Sequence, residues 1–269
     1  MSFRDDLAGT SADRVDVVSI PGLGAHVQIL PWLGAFAGVH RGFSPVSPGQ
    51  PKSVRPETSL NYEAGVRALW GALGGEVVGF FSDYRNLNGI CTLSAGCTDA
   101  QAGEQFSAGQ VYVGGLESRV RYEHRFDSGF GLLGMAQYTF TSTQFRRDFS
   151  SSFPQWGDVR AGDELPYVPR HLASVTAGVG GRIWDLTATV NASGAMRDVA
   201  GQGSIPSEER IAPFVTLDLA GELRAAPWLR MYALVNNATG QPYMASRRPF
   251  GARPGAPLTF TFGVKLYVR

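Results

Sequence analysis

Residues 258 to 269, LTFTFGVKLYVR, alternate without a break. Leu258, Phe260, Phe262, Val264, Leu266 and Val268 share one side, and Thr259, Thr261, Gly263, Lys265 and Tyr267 share the other. A period of two is the repeat of an extended strand, whose successive side chains point to opposite faces. The same alternation recurs along the chain. In NYEAGVRALW, Tyr62, Ala64, Val66, Ala68 and Trp70 oppose Asn61, Glu63, Gly65 and Arg67. In WDLTATVNA, Trp184, Leu186, Ala188, Val190 and Ala192 oppose Asp185, Thr187, Thr189 and Asn191. In VTLDLAGELR, Val215, Leu217, Leu219 and Leu223 oppose Thr216, Asp218, Glu222 and Arg224. Helical periodicity with capping residues is hard to find. The pattern predicts strands near residues 23–29, 33–40, 59–69, 75–84, 112–125, 130–142, 168–179, 182–195, 213–224, 228–236 and 257–268, and a weaker one in DRVDVVSI, residues 13–20.

The connections fall into two alternating classes. LPW, ALGG, DSG, GG and RAAP are short. RGFSPVSPGQPKSVRP, the cysteine-bearing segment, QFRRDFSSSFPQWGDVRAGDELPY, RDVAGQGSIPSEER and NATGQPYMASRRPFGARPG are long. Structureless loops beyond about 12 to 15 residues are uncommon in compact soluble domains. Short turns alternating with long loops are the signature of an outer-membrane barrel, whose strands cross in about 9 to 11 tilted residues. Charged residues in mid-strand on the polar face suit a wet lumen, and Trp70, Trp184, Trp228, Tyr232 and Tyr267 near strand ends suit interfacial girdles. Period two alone also fits a soluble β-sandwich with one wet face, used as a binding module.

Composition removes several function classes. Lys and Arg number 24 against 23 Asp and Glu, so the chain lacks the basic excess of a nucleic-acid binder. No secretory signal and no apolar run of about 18 residues is visible, which taken literally describes a soluble cytoplasmic protein and conflicts with the barrel pattern. Cys91 and Cys97 lie in NGICTLSAGCTD. A disulfide closing a small surface loop is the favoured reading, with free thiols or a metal site as the alternatives; it requires an oxidising compartment. His26, His40, His124 and His171 are scattered, no nucleophile and base share a local signature, and GVGG does not open a helix. Neither enzymatic chemistry nor a resident cofactor or metal is expected.

FAGVHRGFSPVSPG, PETSLNYEAGVR, VVGFFSDYRNLNGICTLSAGCTD, GDELPYVPRH and VNNATGQPYMASRRPFGARPGAP, in that order and spacing, resemble the barrel of TonB-dependent outer-membrane receptors, most closely the ferric-dicitrate and siderophore branch. The resemblance covers nearly the whole chain. It implies an all-β, antiparallel transmembrane barrel segment supplying about eleven of 22 strands, with a plug domain filling the lumen of the complete protein. Residues 1–269 are then the C-terminal part of the barrel, without the plug, the first barrel strands or the segment that TonB grips. The implied cargo is a ferric siderophore or ferric citrate, the implied surroundings are outer-membrane lipid, and an inactive relic of such a receptor is a further alternative. Barrels of this family usually end on an aromatic residue, whereas this chain ends on Arg269.

For such a receptor the arginines draw attention, because a guanidinium offers bidentate, charge-assisted hydrogen bonds to the oxygens of an anionic chelate. Arg41 opens the first long segment, and Arg247, Arg248 and Arg253 stand in the last one with no acid beside them. Arg41, Arg247 and Arg248 are the candidate ligand-binding residues. The competing expectation is that they bind lipopolysaccharide phosphates or pin loops to acids such as Asp163 and Glu164. Arg253, among the turn formers of GARPGAP, and the proline-flanked GDELPYVPRH fit architectural roles better.

Overall fold

The computed structural model describes residues 2–5, 10–13, 17–47, 50, 54–248 and 250–267. Its centre is one antiparallel sheet of eleven strands in which every neighbour in space is a neighbour in sequence. The strands are β1 Gly22–Leu30, β2 Leu33–Ser44, β3 Glu57–Trp70, β4 Leu73–Arg85, β5 Gln110–Arg125 and β6 Gly131–Phe145. They continue as β7 His171–Gly180, β8 Trp184–Ser193, β9 Phe214–Ala226, β10 Leu229–Asn236 and β11 Thr259–Leu266. β1 and β11 do not pair with each other, so the sheet is open and has two edges.

All eleven predicted strands are present; β1 to β6 run further toward the loops than expected, whereas β7, β8, β9 and β11 stop short of the expected loop-end bounds. β2 runs to Ser44, which places Arg41 inside a strand and not in a loop. The weak candidate at residues 13–20 differs: residues 14–16 lie outside the described set, residues 17–20 are irregular, and Ser2–Asp5 pairs instead with Thr10–Asp13. Val268 and Arg269 also lie outside the described residues.

Turns and loops alternate as the spacing predicts. Strands β1 and β2, β3 and β4, β5 and β6, β7 and β8, and β9 and β10 are joined by tight turns at one end. The longer connections, after β2, β4, β6, β8 and β10, all leave from the other end. The Gly71–Ala72 turn shows the local cause. Gly71 has φ +57° and Ala72 does not, the pattern of a type II′ turn whose twist matches the strands it joins.

Register assigns each side chain to a face. Val27, Ala35, Val66, Val77, Ser118, Tyr138, Ala173, Ala192 and Val215 line up directly across nine strands. This face is apolar and uncovered: Leu23 is 78% exposed, Trp70 75% and Phe262 76%. The opposite row runs Arg67, Glu76, Arg119, Gln137, Ser174, Asn191 and Thr216. A sandwich would bury its apolar face against a second sheet, and the remaining sheets among the described residues are two-stranded pieces.

Apolar burial is concentrated at the loop end. Cys91, Ala95, Cys97, Ala108, Phe153, Trp156 and Val159, all from loops, pack with the strand-end residues Val111 and Phe145. Val111 and Phe145 are opposite one another on the polar face, so this small core roofs the loop end of that face.

At the turn end, Trp32 and Trp70 stack with ring centroids 6.0 Å apart. Two of the expected girdle residues depart from that role. Tyr232 lies on the polar face with the Lys265 ammonium 5.1 Å from its ring, and the Tyr267 ring receives Arg230 at 5.1 Å.

Candidate binding site: the loop vestibule

The loops carry their own order. Cys91 and Cys97 are joined in a disulfide, with Cα atoms 5.7 Å apart, and both are buried in the loop core. Thr92 caps the 3₁₀ turn between them by accepting the Ala95 amide at 3.1 Å. Phe153 and Trp156 meet edge to face at 4.8 Å, and Trp156 meets Phe145 at 6.3 Å. Aromatic pairs of this geometry add about 0.5 to 1.5 kcal/mol beyond their burial. Loops held this way present fixed side chains.

A polar hub joins the loops that the apolar core leaves apart. Asp198 accepts hydrogen bonds from the Tyr167 hydroxyl and, at 3.2 Å, from Arg248 Nε. Tyr167 holds φ +59° and its amide donates to the Arg197 carbonyl at 2.8 Å, so a strained backbone is fixed on both sides. Burial, and next the hydrogen bond to Asp198, raise the Tyr167 pKa above its ordinary value, which keeps the phenol neutral and donating. Ser246 Oγ lies 3.2 Å from the same hydroxyl and accepts the Arg248 amide at 3.0 Å. Arg197, its side chain only 4% exposed, donates to Glu164 at 3.1 Å and to the Gly203 carbonyl, and Glu164 also receives Arg170. The hub therefore ties together segments from residue 164 to residue 248.

The arginines singled out in the sequence go to three different places. Arg248 is ion-paired to Asp198 and packs over Gly96, where a Cβ would lie 3.0 Å from its Nη1. Arg247 donates to the Arg210 carbonyl at 2.9 and 3.0 Å and to the Ser207 carbonyl at 3.0 Å. Carbonyls accept from its Nε and Nη2, and the acid that feels its charge is Glu208, whose carboxyl pKa is lowered by its own backbone and Ser207 hydrogen bonds and, more weakly, by Arg247. Arg41 faces away from both: it is opposite Leu60 on the apolar side of the sheet. Arg253 is exposed and pairs through its backbone with Ser246. Arg247 and Arg248, neighbours in sequence, stay in one loop with separate partners, and Arg41 lies apart from both.

Two expectations about acids are refined. Glu164 pins Arg170 and Arg197, not Arg247 or Arg248, and Asp163 accepts the Arg160 amide at 2.8 Å. Sequence reasoning passed over Asp198, Tyr167 and Arg197. Their partners lie 31 to 50 residues away, and no local motif marks them. Beneath the vestibule the polar face carries ion pairs, Arg67 and Arg119 on Glu76, and Arg224, Arg230 and Lys265 around Glu222 and Asp185. Among the described residues no group of three or more His, Cys, Asp or Glu is placed to hold a metal ion. The arrangement can bind and guide a polar solute along a charged wall.

Comparison with known proteins places this architecture. The sequence profile of the family described as TonB dependent receptor-like, beta-barrel matches residues 2–238. Among curated proteins no sequence matches the chain. The fold is similar to the ferric citrate transporter FecA, with TM-score 0.68 and 18% identity over 98% of this chain and 40% of that one. It is similar to the ferric-catecholate import receptor Fiu from E. coli K12, with TM-score 0.65 and 16% identity over 96% of this chain and 37% of that one. It is also similar to the ferric yersiniabactin uptake receptor FyuA from Yersinia pestis, with TM-score 0.64 and 18% identity over 91% and 36%. The chain thus spans about 40% or less of the length of these structures.

Proposed function

Because this chain belongs to the TonB-dependent receptor-like β-barrel family, we propose that it builds part of the wall and mouth of an outer-membrane receptor for an anionic ferric chelate, ferric citrate or a siderophore. One observation carries the reading: a single sheet whose exposed apolar face backs onto a charged face, with every long loop at one end. Hydrocarbon accepts the first face and a water-filled lumen the second. The iron is cargo held by its chelator, and the chain performs no chemistry on it.

Strand parity says what must complete the wall. Eleven alternating strands leave β1 and β11 running in the same direction. Two copies inserted with their loops on the same side would bring β11 of one against β1 of the other in parallel. Unpaired backbone groups in hydrocarbon cost several kcal/mol each, so both edges must be covered. An antiparallel seam at each edge needs an odd number of further strands, the first and last running opposite to β1 and β11. In this reading those strands, the plug and the contact with TonB come from receptor sequence outside residues 1–269.

At the mouth, Arg247 is the residue we assign to chelate attraction, since carbonyls and not a carboxylate hold its guanidinium. Arg248 serves by holding the loop in place. Uptake of iron-55 as ferric citrate and as a ferric catecholate separates the roles. Arg247→Gln, which removes the charge and keeps an amide donor for the Arg210 carbonyl, lowers uptake of the anionic chelate with the loops still protease-resistant, and Arg248→Ala lowers it together with loop protection. Uptake unchanged in cells lacking the chain altogether would overturn the receptor reading.

A further inference from the structure

The neck of the last long loop is closed by one side chain. Asn237 follows β10 directly, holds φ +49° and is 3% exposed. Apart from glycine, asparagine is among the few residues that visit this left-handed backbone readily. Its Nδ2 donates to the Gln241 carbonyl at 2.9 Å and to the Ala256 carbonyl at 3.1 Å, and its Oδ1 accepts the Gln241 amide at 3.1 Å. One amide thus clasps the outgoing and the returning limb of the connection between β10 and β11. Beside the clasp, the Tyr243 ring stacks on Phe214 with centroids 4.2 Å apart, and the Tyr243 hydroxyl accepts the Ala256 amide at 3.2 Å.

The clasp is itself anchored on the polar wall. Asp218 Oδ1 accepts the Asn237 backbone amide at 2.8 Å, and Asp218 Oδ2 accepts from Asn191 Nδ2 at 2.8 Å. Asn191 Oδ1 in turn accepts the Ser174 hydroxyl at 3.0 Å. Ser174, Asn191 and Asp218 stand on β7, β8 and β9, all on the polar face. A chain of hydrogen bonds therefore crosses three wall strands and ends in the loop neck. Bonds to an ionised carboxylate are the stronger kind, so Asp218 fixes where the neck leaves the sheet. Arg247 stands ten residues beyond Asn237, in the tip of the hairpin that Met244–Ser246 and Arg253–Pro254 form. Its carbonyl partners, Arg210 and Ser207, belong to the neighbouring loop, so those contacts hold only when the neck brings this arm within reach.

We infer that Asn191, Asp218 and Asn237 are positioning residues for chelate capture: the chain of bonds from wall to neck sets where Arg247 meets an anionic chelate. The inference rests on the receptor reading above, in which Arg247 attracts the chelate, and adds three residues that act on it through the loop backbone.

The test uses cells carrying the full chain together with whatever completes its wall. Uptake of iron-55 ferric citrate is followed over a range of concentrations, and trypsin reads the Arg247–Arg248 bond in the same cells. Asp218→Ala removes two hydrogen bonds to a charged acceptor. The half-saturating chelate concentration then rises about tenfold with the maximal rate retained, and cleavage quickens about tenfold. Asn191→Asp sets two carboxylates side by side and moves both readouts the same way. Adding Asp218→Asn to Asn191→Asp restores them, because the amide at position 218 then donates to the carboxylate at position 191. Thr176→Val breaks the 2.9 Å contact between Thr176 and Thr189 on the same wall and changes neither readout. Wild-type behaviour of Asp218→Ala in both readouts overturns the inference, and so does a double variant no better than Asn191→Asp alone. Failure of the underlying reading looks different: wild-type cells would show no saturable uptake, and the tryptic pattern alone would decide whether the clasp sets the loop.

Discussion

Replacing Asp198 by Ala unfastens the loop hub, and the size of the effect follows from what Asp198 holds. Its side chain is 12% exposed and that of Arg248 is 18% exposed. Removing one partner of a buried ion pair costs about 3 to 5 kcal/mol when the other charge stays buried. Here Arg248 reaches water by a small movement, so we take about 2 kcal/mol, which is about a thirtyfold rise in the open population of the loop. Asp198→Asn keeps an acceptor for Tyr167 and loses the ion pair, so about fivefold is expected. Trypsin on intact cells reads this opening at the bond between Arg247 and Arg248, because the next bond leads into Pro249 and resists cleavage. In the regime where reclosing outpaces cleavage, the rate follows the open population. The double variant Asp198→Ala with Arg248→Met should then cleave no faster than Asp198→Ala alone, since the two residues share one interaction. Cleavage of Asp198→Ala at the wild-type rate would show that Asp198 does not hold this loop.

Other consequences are open to measurement. Cys91→Ser with Cys97→Ser releases a short covalent loop whose closure is worth about 2 kcal/mol by chain entropy, and protease should find residues 86–109 at least tenfold faster. Tyr167 has a raised pKa in the folded state, so its contribution to the hub is complete below the unfolded value of about 10 and is lost as pH rises through the higher folded value. Tryptic sensitivity should accordingly climb in strong alkali, and Tyr167→Phe should abolish that pH dependence. Phe262→Arg puts a charge in hydrocarbon at a cost of about 2 to 4 kcal/mol near the midplane, whereas Thr261→Arg, on the lumen side, should be nearly silent in membrane assembly assays.

The fold was legible because a half-buried strand writes its period directly into the sequence. LTFTFGVKLYVR, NYEAGVRALW and WDLTATVNA each place one solvent on each face, and the lengths between them announce which end carries loops. The same logic puts Trp70 and Trp184 at strand ends on the apolar face. It misplaced Tyr232, because an aromatic near a strand end says nothing about face until its register with Glu222 and Gly263 is known. Arg41 was misread for a related reason: the glycine and prolines that follow it resemble loop, yet pairing with β3 carries β2 on to Ser44. The hub at Asp198 was illegible in principle from local pattern. Tyr167, Asp198 and Arg248 are brought together by loop packing over the Cys91 to Val159 core, and each alone reads as an ordinary polar loop residue.

The claim on which the rest depends is that one face of this sheet meets lipid and the other meets water. Single-cysteine scanning along β11 tests it directly, because Cys91 and Cys97 are already paired and silent. Cysteines at 260, 262, 264 and 266, labelled with a polarity-sensitive dye, should show blue-shifted emission quenched by brominated lipid. Cysteines at 259, 261, 263 and 265 should instead react with a membrane-impermeant maleimide added to permeabilised cells. A strict period-two alternation between the two signals is the predicted result, and uniform water accessibility along β11 would contradict the account.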